Sequence, residues 1–466
     1  MEPIVEVWPG NPRLDELYDI FKDEPYAFLL ESGIEHQKLG RYSFVGGDPF
    51  LVFSSWGNRC NIRYAKGFNV YAKEDPFTCL EELIADYSGS SMHKLPMVGG
   101  GAVGYLAYDM GRCLEKLPRH APDDLGLPEC MMAFYDRGIV VDHLKRETYI
   151  FSTGLPFKDP AAQLDHRDRR FRELRRKINK IHGRRVPRIV GIKGSGLHSN
   201  FSREEYLVMV EKALDYIGCG EIYQVNLSQR FEARLESAPW ALYRQLRLIN
   251  PAPFASFLSF PEVKIVSSSP ERFLKLDGLD LEMRPIKGTR PRGSTAEEDR
   301  ALSRELLQSE KDRAELAMIV DLERNDLSRV CRVGTVKVPA LAALEEYATV
   351  YHLVATVTGK LPEGKGIIEV LKGSFPGGSI TGAPKIRSME IIEELEPVRR
   401  GIYTGSIGYI DFAGKSDLNI VIRTFIIKGN RAYFQVGGGI VADSSPEAEY
   451  RETLDKARAL LAALGI

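Results

Sequence analysis

Hydrophobic and polar positions change period several times along this chain, and each change predicts an element. Residues 1–155 carry short apolar runs, such as Tyr26-Ala27-Phe28-Leu29-Leu30 and Gly138-Ile139-Val140-Val141, punctuated by glycine and proline. Runs of that length bounded by turn residues predict strands, and with them a sheet-rich N-terminal lobe. From residue 159 to about 188, Arg167, Arg169, Arg170, Arg172, Arg175, Arg176 and Lys177 alternate with acids on a helical pattern. A solvated helix joining two lobes is expected across residues 156–195.

A second region, residues 196–466, opens on Ser202 and Glu205, the two ends of a capping box. Leu207, Val210, Leu214 and Ile217 follow at helical spacing, with a stop at Gly218 and Gly220, so a helix is expected there. Tyr223-Gln224-Val225-Asn226-Leu227-Ser228 then alternates with period two, which predicts a half-buried strand with Gln224 and Asn226 on its polar face. Further strands are expected at 264–268, 419–427 and 432–437, and helices near 297–307, 311–322, 367–371, 385–395 and 446–464. No internal repeat or low-complexity tract interrupts this order.

Composition narrows the functional classes. At 466 residues, 44% hydrophobic and 27% charged, the chain can bury a large core in two lobes or one large fold. Its 63 lysines and arginines balance 64 aspartates and glutamates, so no global field draws it to nucleic acid or an anionic membrane. An anionic ligand therefore needs a local site. No apolar run is long enough to span a bilayer, and Met1-Glu2-Pro3-Ile4-Val5-Glu6 lacks the basic and apolar parts of a secretion signal. A cytoplasmic location is the expectation. Cys60, Cys79, Cys113, Cys130, Cys219 and Cys331 lack the short paired spacings of a zinc site or disulfide framework and read as reduced thiols.

Candidate chemistry begins at Lys287, held between Pro285 and Gly288 at a strand-to-loop transition. Proline fixes φ on one side and glycine permits close backbone approach on the other, so the amine is aimed. Desolvation, or the nearby cations Arg290 and Arg292, would favour the deprotonated, nucleophilic form. Alone, such a lysine reads as a solvated loop charge; its company changes the reading. Glu271 follows a proline turn a short distance upstream; by itself it reads as an ordinary turn acid, and beside a nucleophile it would serve as a general acid. Glu315 sits in a segment that is apolar nearly all round and needs a partner or a metal. In the last helix Tyr450, Leu454, Ala457 and Leu461 form the expected core stripe, and Glu449, Glu452 and Lys456 the opposite face. Two carboxylates from different helices suit a magnesium ion that keeps waters and borrows a substrate oxygen.

Gly99-Gly100-Gly101-Ala102-Val103-Gly104 fits GxGxxG but lacks the preceding strand and following helix of a dinucleotide fold. Gly373 to Gly382 lacks the lysine-serine or lysine-threonine pair of a phosphate loop. Thr381-Gly382-Ala383-Pro384-Lys385 nevertheless leads into an expected helix whose first amides would cradle an anion, and Gly437-Gly438-Gly439 follows a strand and would do the same. Arg423, inside an apolar run, needs an anionic partner. His352 reads equally as a packed or a ligand-facing histidine. Metalloprotease, GxSxG and glutaminase signatures are missing.

Taken together, these segments resemble the chorismate-utilising enzymes, on the aminodeoxychorismate synthase branch beside the large subunit of anthranilate synthase. The resemblance spans nearly the whole chain. It rests on Glu221 to Ser228, Ser269-Pro270-Glu271, Pro285-Ile286-Lys287-Gly288-Thr289, Ile319-Val320-Asp321-Leu322 with Arg324-Asn325-Asp326-Leu327, Gly378 to Lys385, and Gly437 to Val441, all in the family's order. It implies an α/β fold of α+β type, with two large antiparallel sheets packed across each other and helices outside. It also implies that Lys287 attacks chorismate at C2 while Glu271 protonates the departing 4-hydroxyl, and that ammonia from a glutamine amidotransferase subunit then adds at C4. Glu315 and Glu452 would hold Mg2+; Gln224, Thr289, His352, Thr381, Gly382, Tyr403, Arg423, Gly438, Gly439 and Lys456 would contact substrate. Lysine at 287, where anthranilate synthases usually carry alanine, favours the aminodeoxychorismate branch; anthranilate synthase and a non-catalytic, tryptophan-sensing scaffold are the alternatives. Gln224 stands where isochorismate and salicylate synthases place a lysine base. Leu316 stands where many relatives have histidine or asparagine. Leu30, Glu31, Ser32, Arg41, Tyr42, Pro253 and Phe254 resemble the tryptophan pocket of anthranilate synthase.

Overall fold

In the computed structural model, which describes residues 2–466 apart from 11, 34–38, 66, 90–94, 182–190 and 348–349, the chain forms two antiparallel sheets of twelve strands each, eleven in continuous order and a twelfth, Gly382–Ala383 in one and Lys337–Glu346 in the other, paired off that order. One sheet runs from the edge strand Ile4–Trp8 through Glu147–Ser152, Arg137–Asp142, Tyr42–Gly46 and Ala27–Glu31 into Phe254–Ser259. It continues through Lys264–Ser269, Thr424–Lys428, Arg431–Ile440 and Gln224–Leu235 to Gly194–Ser199. The other sheet runs from Ile286–Pro291 through Val350–Lys360, Asp280–Arg284, Arg272–Asp277, Lys415–Asn419 and Ser406–Asp411. It ends in Gly101–Leu106, Cys130–Tyr135, Leu51–Trp56, Arg59–Tyr64 and Asn69–Lys73.

The sheets bury one face against each other and the opposite face under helices, which is how wide sheets with two apolar faces exclude water. Phe28, Phe44, Leu258 and Ile265 of the first sheet share a buried cluster with Val103, Tyr105, Ala133 and Ile407 of the second. Leu242, Leu246, Leu460 and Leu464 from helices cover the outer face of the first sheet, and Phe77, Leu80, Leu316 and Val320 that of the second.

The expected division at residue 155 is not a division of the hydrogen bonding. Strands from residues 1–155 supply part of both sheets: Ala255 pairs with Glu31 in one, and Ser406 with Leu106 in the other. Periodicity shows which face of a strand is apolar but not which strand it pairs with. The charged stretch is also more than a solvated connector. Within Pro160–Ile178, Phe171, Leu174 and Ile178 are buried, and Arg170 is bonded to Asp136 and Asp48, docking the helix beside Glu147–Ser152; residues 182–190 of that stretch lie outside the described ones. The glycine run at 99–104 lies largely in the antiparallel strand Gly101–Leu106, with no crossover helix, so it forms no dinucleotide site.

Two features of this frame place the site. The capping box holds as expected, with Ser202 Oγ accepting from Glu205 N and Glu205 Oε2 accepting from Ser202 N, and starts the helix Arg203–Gly218 beside Pro446–Leu464. The strand expected over 419–427 is broken: Lys415–Asn419 belongs to one sheet and Thr424–Lys428 to the other. The crossing at 420–423 puts Arg423 in the left-handed region, at φ 51°.

Candidate active site

A cavity of about 530 Å³ opens where the crossing at 420–423, the edge strand Ile286–Pro291, the strand Arg431–Ile440 and the helices Glu310–Val330 and Pro446–Leu464 converge. Lys287 and Thr289 reach it from the edge strand, which bulges between them: Lys287 pairs with Leu353 and Thr289 with His352, leaving Gly288 as the extra residue at φ 76°. A Cβ on Gly288 would also lie 2.8 Å from Leu306 Cδ1 and 2.9 Å from Asp312 Cγ, so only glycine fits this turn. Lys287 Nζ donates to Glu315 Oε2 at 2.8 Å. Arg290 and Arg292 do not press on it: Arg290 is paired with Glu305 and Asp312, and Arg292 with Asp299.

Glu271 enters from the short connection between the strands Lys264–Ser269 and Arg272–Asp277 and is 6% exposed. Burial lifts its carboxyl to about 7, although the Ser379 hydroxyl and the charge on Lys287 pull the other way. Ser379 Oγ donates to Glu271 Oε1 at 2.6 Å. A carboxyl in that range carries a proton for much of the neutral region, as a general acid must.

The opposite wall is made by glycines. Gly437 and Gly439 line the cavity, and a Cβ on Gly439 would fall 2.3 Å from Gln224 Nε2 and 3.0 Å from Lys287 Nζ. The bare backbone there leaves Gln224 beside the lysine, with its Oε1 buried and without a hydrogen-bond partner among the described residues. Asn226 from the same strand lines the cavity, as the alternation predicted, but Gln224 is almost fully covered at 2% exposure. Gly438 faces the last helix, nearest to Glu449 and Glu452.

Cations are distributed around the space. Arg423 donates to Asn250 Oδ1 at 2.9 Å and has no carboxylate within ion-pair distance among the described residues. Burial lowers its pKa, the expected cost of a buried charge without a counter-ion. His352 contacts Thr289 Oγ1 through Nδ1 at 2.9 Å; burial, then the charge on Arg423, pushes it down to about 3, so it is neutral. Lys456 donates to the carbonyl of Gly437 at 2.8 Å and lies 2.6 Å from Glu452 Oε1. Tyr403 lines the cavity with its phenol pushed up by burial.

Thr381 and Gly382 lie behind the wall. Thr381 Oγ1 bonds the carbonyl of Gly377, and Gly382 pairs with Val225 of the neighbouring strand; Ser379 and Ile380 form the lining there. The helix Lys385–Leu395 begins after Pro384, and Lys385 is turned to Asp326 and the carbonyl of Ser374, so the expected anion cradle does not open into the cavity. The last helix also presents a different stripe. Glu449, Thr453, Ala457, Leu460 and Leu464 are buried, whereas Leu454 is exposed.

Glu315 and Glu452 both line the cavity, joined by Asp312 and Glu449, which sequence reasoning did not assign to the site. The repeated i, i+3 pairs Asp312/Glu315 and Glu449/Glu452 were the available signal. Against the push of burial, Lys456 holds Glu452 below its usual range, while burial raises Glu449. No three potential ligands are drawn together as a ready cage among the described residues. Hard carboxylate oxygens on two facing helices, with open volume between, suit an octahedral cation that keeps water and substrate oxygens.

The family profile described as chorismate binding enzyme matches residues 26–462. The chain belongs to the chorismate-binding enzymes. It is 41% identical to anthranilate synthase component 1 of Acetivibrio thermocellus, over 99% of this chain and 94% of that protein. It is 39% identical to aminodeoxychorismate synthase component 1 of Klebsiella aerogenes, over 99% of each. The crystal structure of anthranilate synthase component I from Streptococcus pneumoniae TIGR4 superposes with a TM-score of 0.78 at 33% identity, covering 90% of this chain and 91% of that one. The two-sheet α/β architecture is therefore that of anthranilate synthase component I.

This chorismate-binding enzyme has a second cavity, of about 370 Å³, between the sheets. Leu30, Glu31, Arg41, Tyr42, Pro253 and Phe254 line it, together with Arg272 and Asp417. Ser32 is not in its wall; its amide donates to Ser43 Oγ. The Glu31 carboxylate is taken by Tyr243 and Arg247, and Arg41 is paired with Asp142. Among the described residues no helix is long and apolar enough to cross a membrane.

Proposed function

We propose that this chain is the chorismate-aminating subunit of an aminodeoxychorismate synthase, making 4-amino-4-deoxychorismate, the precursor of p-aminobenzoate and folate. The observation that carries the reading is Lys287, a lysine in the wall of a cavity that also holds Glu271, whose carboxyl burial raises to about 7. In this reading the Lys287 ammonium first releases a proton to solvent; the free amine then bonds to C2 as the C4–O bond breaks, and Glu271 gives its proton to the departing hydroxyl as water forms. Ammonia then bonds to C4, the ring double bond shifts back and the C2–N bond to lysine breaks. Arg423 and Lys456 answer substrate carboxylates, with Tyr403, Thr289 and neutral His352 fixing orientation. Glu315 and Glu452 would hold Mg2+, which when bound would neutralise a substrate carboxylate. Ammonia would come from a glutamine amidotransferase component, as the component 1 names of the relatives suggest.

The second reading, anthranilate synthase, is favoured by relatives of that name at 41% and 43% identity. Product identity separates the two. Purified protein given chorismate, magnesium and an ammonium salt is expected to form an amino product that keeps the enolpyruvyl group, and Lys287→Ala is expected to abolish it. Fluorescent anthranilate from the unaltered chain would sink the aminodeoxychorismate reading. We propose tryptophan as the occupant of the second cavity, because Leu30, Glu31, Arg41, Tyr42, Pro253 and Phe254 of the resembling set line it; calorimetry on ligand-stripped protein that registers no heat with tryptophan would remove that proposal.

A further inference from the structure

Arg400 lies between the helix Lys385–Leu395 and the strand Ser406–Asp411, 4% exposed, and does not itself line the first cavity. Its guanidinium spends its donors on several separate pieces of structure. Nε and NH2 donate to the two Glu396 oxygens at 3.0 and 2.8 Å. NH1 donates to the carbonyl of Ile380 at 2.9 Å, and NH2 to the carbonyl of Asn226 at 2.6 Å. The cation also lies 4.8 Å from the Tyr108 ring centre and 5.9 Å from that of Tyr403. Ile380, Asn226 and Tyr403 come from three different segments, and all three line the chorismate cavity.

The geometry points to Arg400 as a positioning residue for the amination: it ties these three wall segments together from behind, and through Ile380 it fixes the neighbouring Ser379 hydroxyl on Glu271. This rests on the reading of Glu271 as the general acid. A planar fork can satisfy Glu396 and two carbonyls in fixed directions at once; a lysine ammonium at the end of a flexible stem cannot. Arg423 and Lys456 have other supports, Asn250 for one and Glu452 with the Gly437 carbonyl for the other, so the groups assigned to the substrate carboxylates do not depend on Arg400.

The groups facing Glu271 are Ser379 from the turn Gly378–Ile380, the Ile286 amide and Lys287 from the edge strand, Lys456 from the last helix and buried Glu323 from Glu310–Val330. Of these, Ser379 is the one whose neighbour, Ile380, is bonded by Arg400. Loss of its hydrogen bond removes support from the Glu271 anion, so the pH at which the acid loses its proton should rise.

The test compares Arg400→Lys, Ser379→Ala and the double variant with saturating magnesium and ammonium, reading kcat, KM for chorismate, the pH profile of kcat and the thermal midpoint. Arg400→Lys is expected to lower kcat by roughly 10- to 100-fold with KM changed less than about threefold, the scale of a misplaced catalytic group. The basic limb of the profile is expected to move up, as in Ser379→Ala, with no further movement in the double variant. A wild-type kcat, a limb that stays in place, or full additivity with Ser379→Ala would overturn the proposal. If Arg400→Lys does not fold, Glu396→Gln with Arg400→Met removes the buried pair as a unit and must give the same limb shift. Wild-type activity in Glu271→Gln would instead overturn the acid reading, which is a separate outcome.

Discussion

Glu271 is costly to place where it is, and that cost is measurable. Burial raises its carboxyl from the ordinary value of 4.5 to about 7. Below the ordinary value, folded and unfolded chains both carry the proton. As pH rises from there toward 7 the unfolded carboxyl ionises while the folded one does not, so stability is lost across that window and is level above it. Glu271→Gln does not titrate. Its thermal stability relative to the parent is expected to rise between those two pH values by roughly 1–3 kcal/mol, with activity lost; a difference independent of pH would contradict the burial-driven account. Lys287 was legible in the sequence through the motifs around it, because Pro285 and Gly288 alone suit a solvated loop charge equally well. Gln224 was legible as a polar strand position but not as a covered one, because its cover comes from the facing glycine strand, more than two hundred residues later in the chain.

At the scale of elements, the boundaries were the more readable part. The helices Lys385–Leu395 and Pro446–Leu464 begin and end where the apolar periodicity begins and ends. Their faces were less readable. In the last helix the acid Glu449 is buried and the leucine Leu454 exposed, because Ser444 Oγ donates to Glu449 Oε1 and the cavity occupies the side on which a core would otherwise lie. The apolar run at 419–427 read as one strand because hydrophobicity persists through it; only the backbone shows that it changes sheet at Arg423. Leu316 is fully buried in the helix-covered cluster beside Leu353 and Ala355, which explains an apolar residue at that position. The charged helix Pro160–Ile178 hid its buried stripe among arginines whose partners, Asp48 and Asp136, lie over a hundred and over twenty residues earlier in sequence.

At the scale of the molecule, the sequence suggested two lobes, and the structure gives two sheets that each draw on both halves of the chain. Pairing across that distance leaves no periodic trace in either half. It also explains why these two cavities lie close to shared segments: Asn250 supports Arg423 in the first, while Pro253 and Phe254 line the second. Asn419 lines the second cavity, and four residues later Arg423 lines the first. The central claim is that the first cavity works through a covalent bond to Lys287. The most direct test is intact-protein and peptide mass spectrometry of the enzyme quenched with chorismate and magnesium but without ammonia. The account predicts a mass gain of chorismate less one water on the peptide that contains Lys287, discharged on adding ammonium and missing in Lys287→Ala; the same adduct in Lys287→Ala, or none in a parent enzyme that turns over with ammonium, would contradict it.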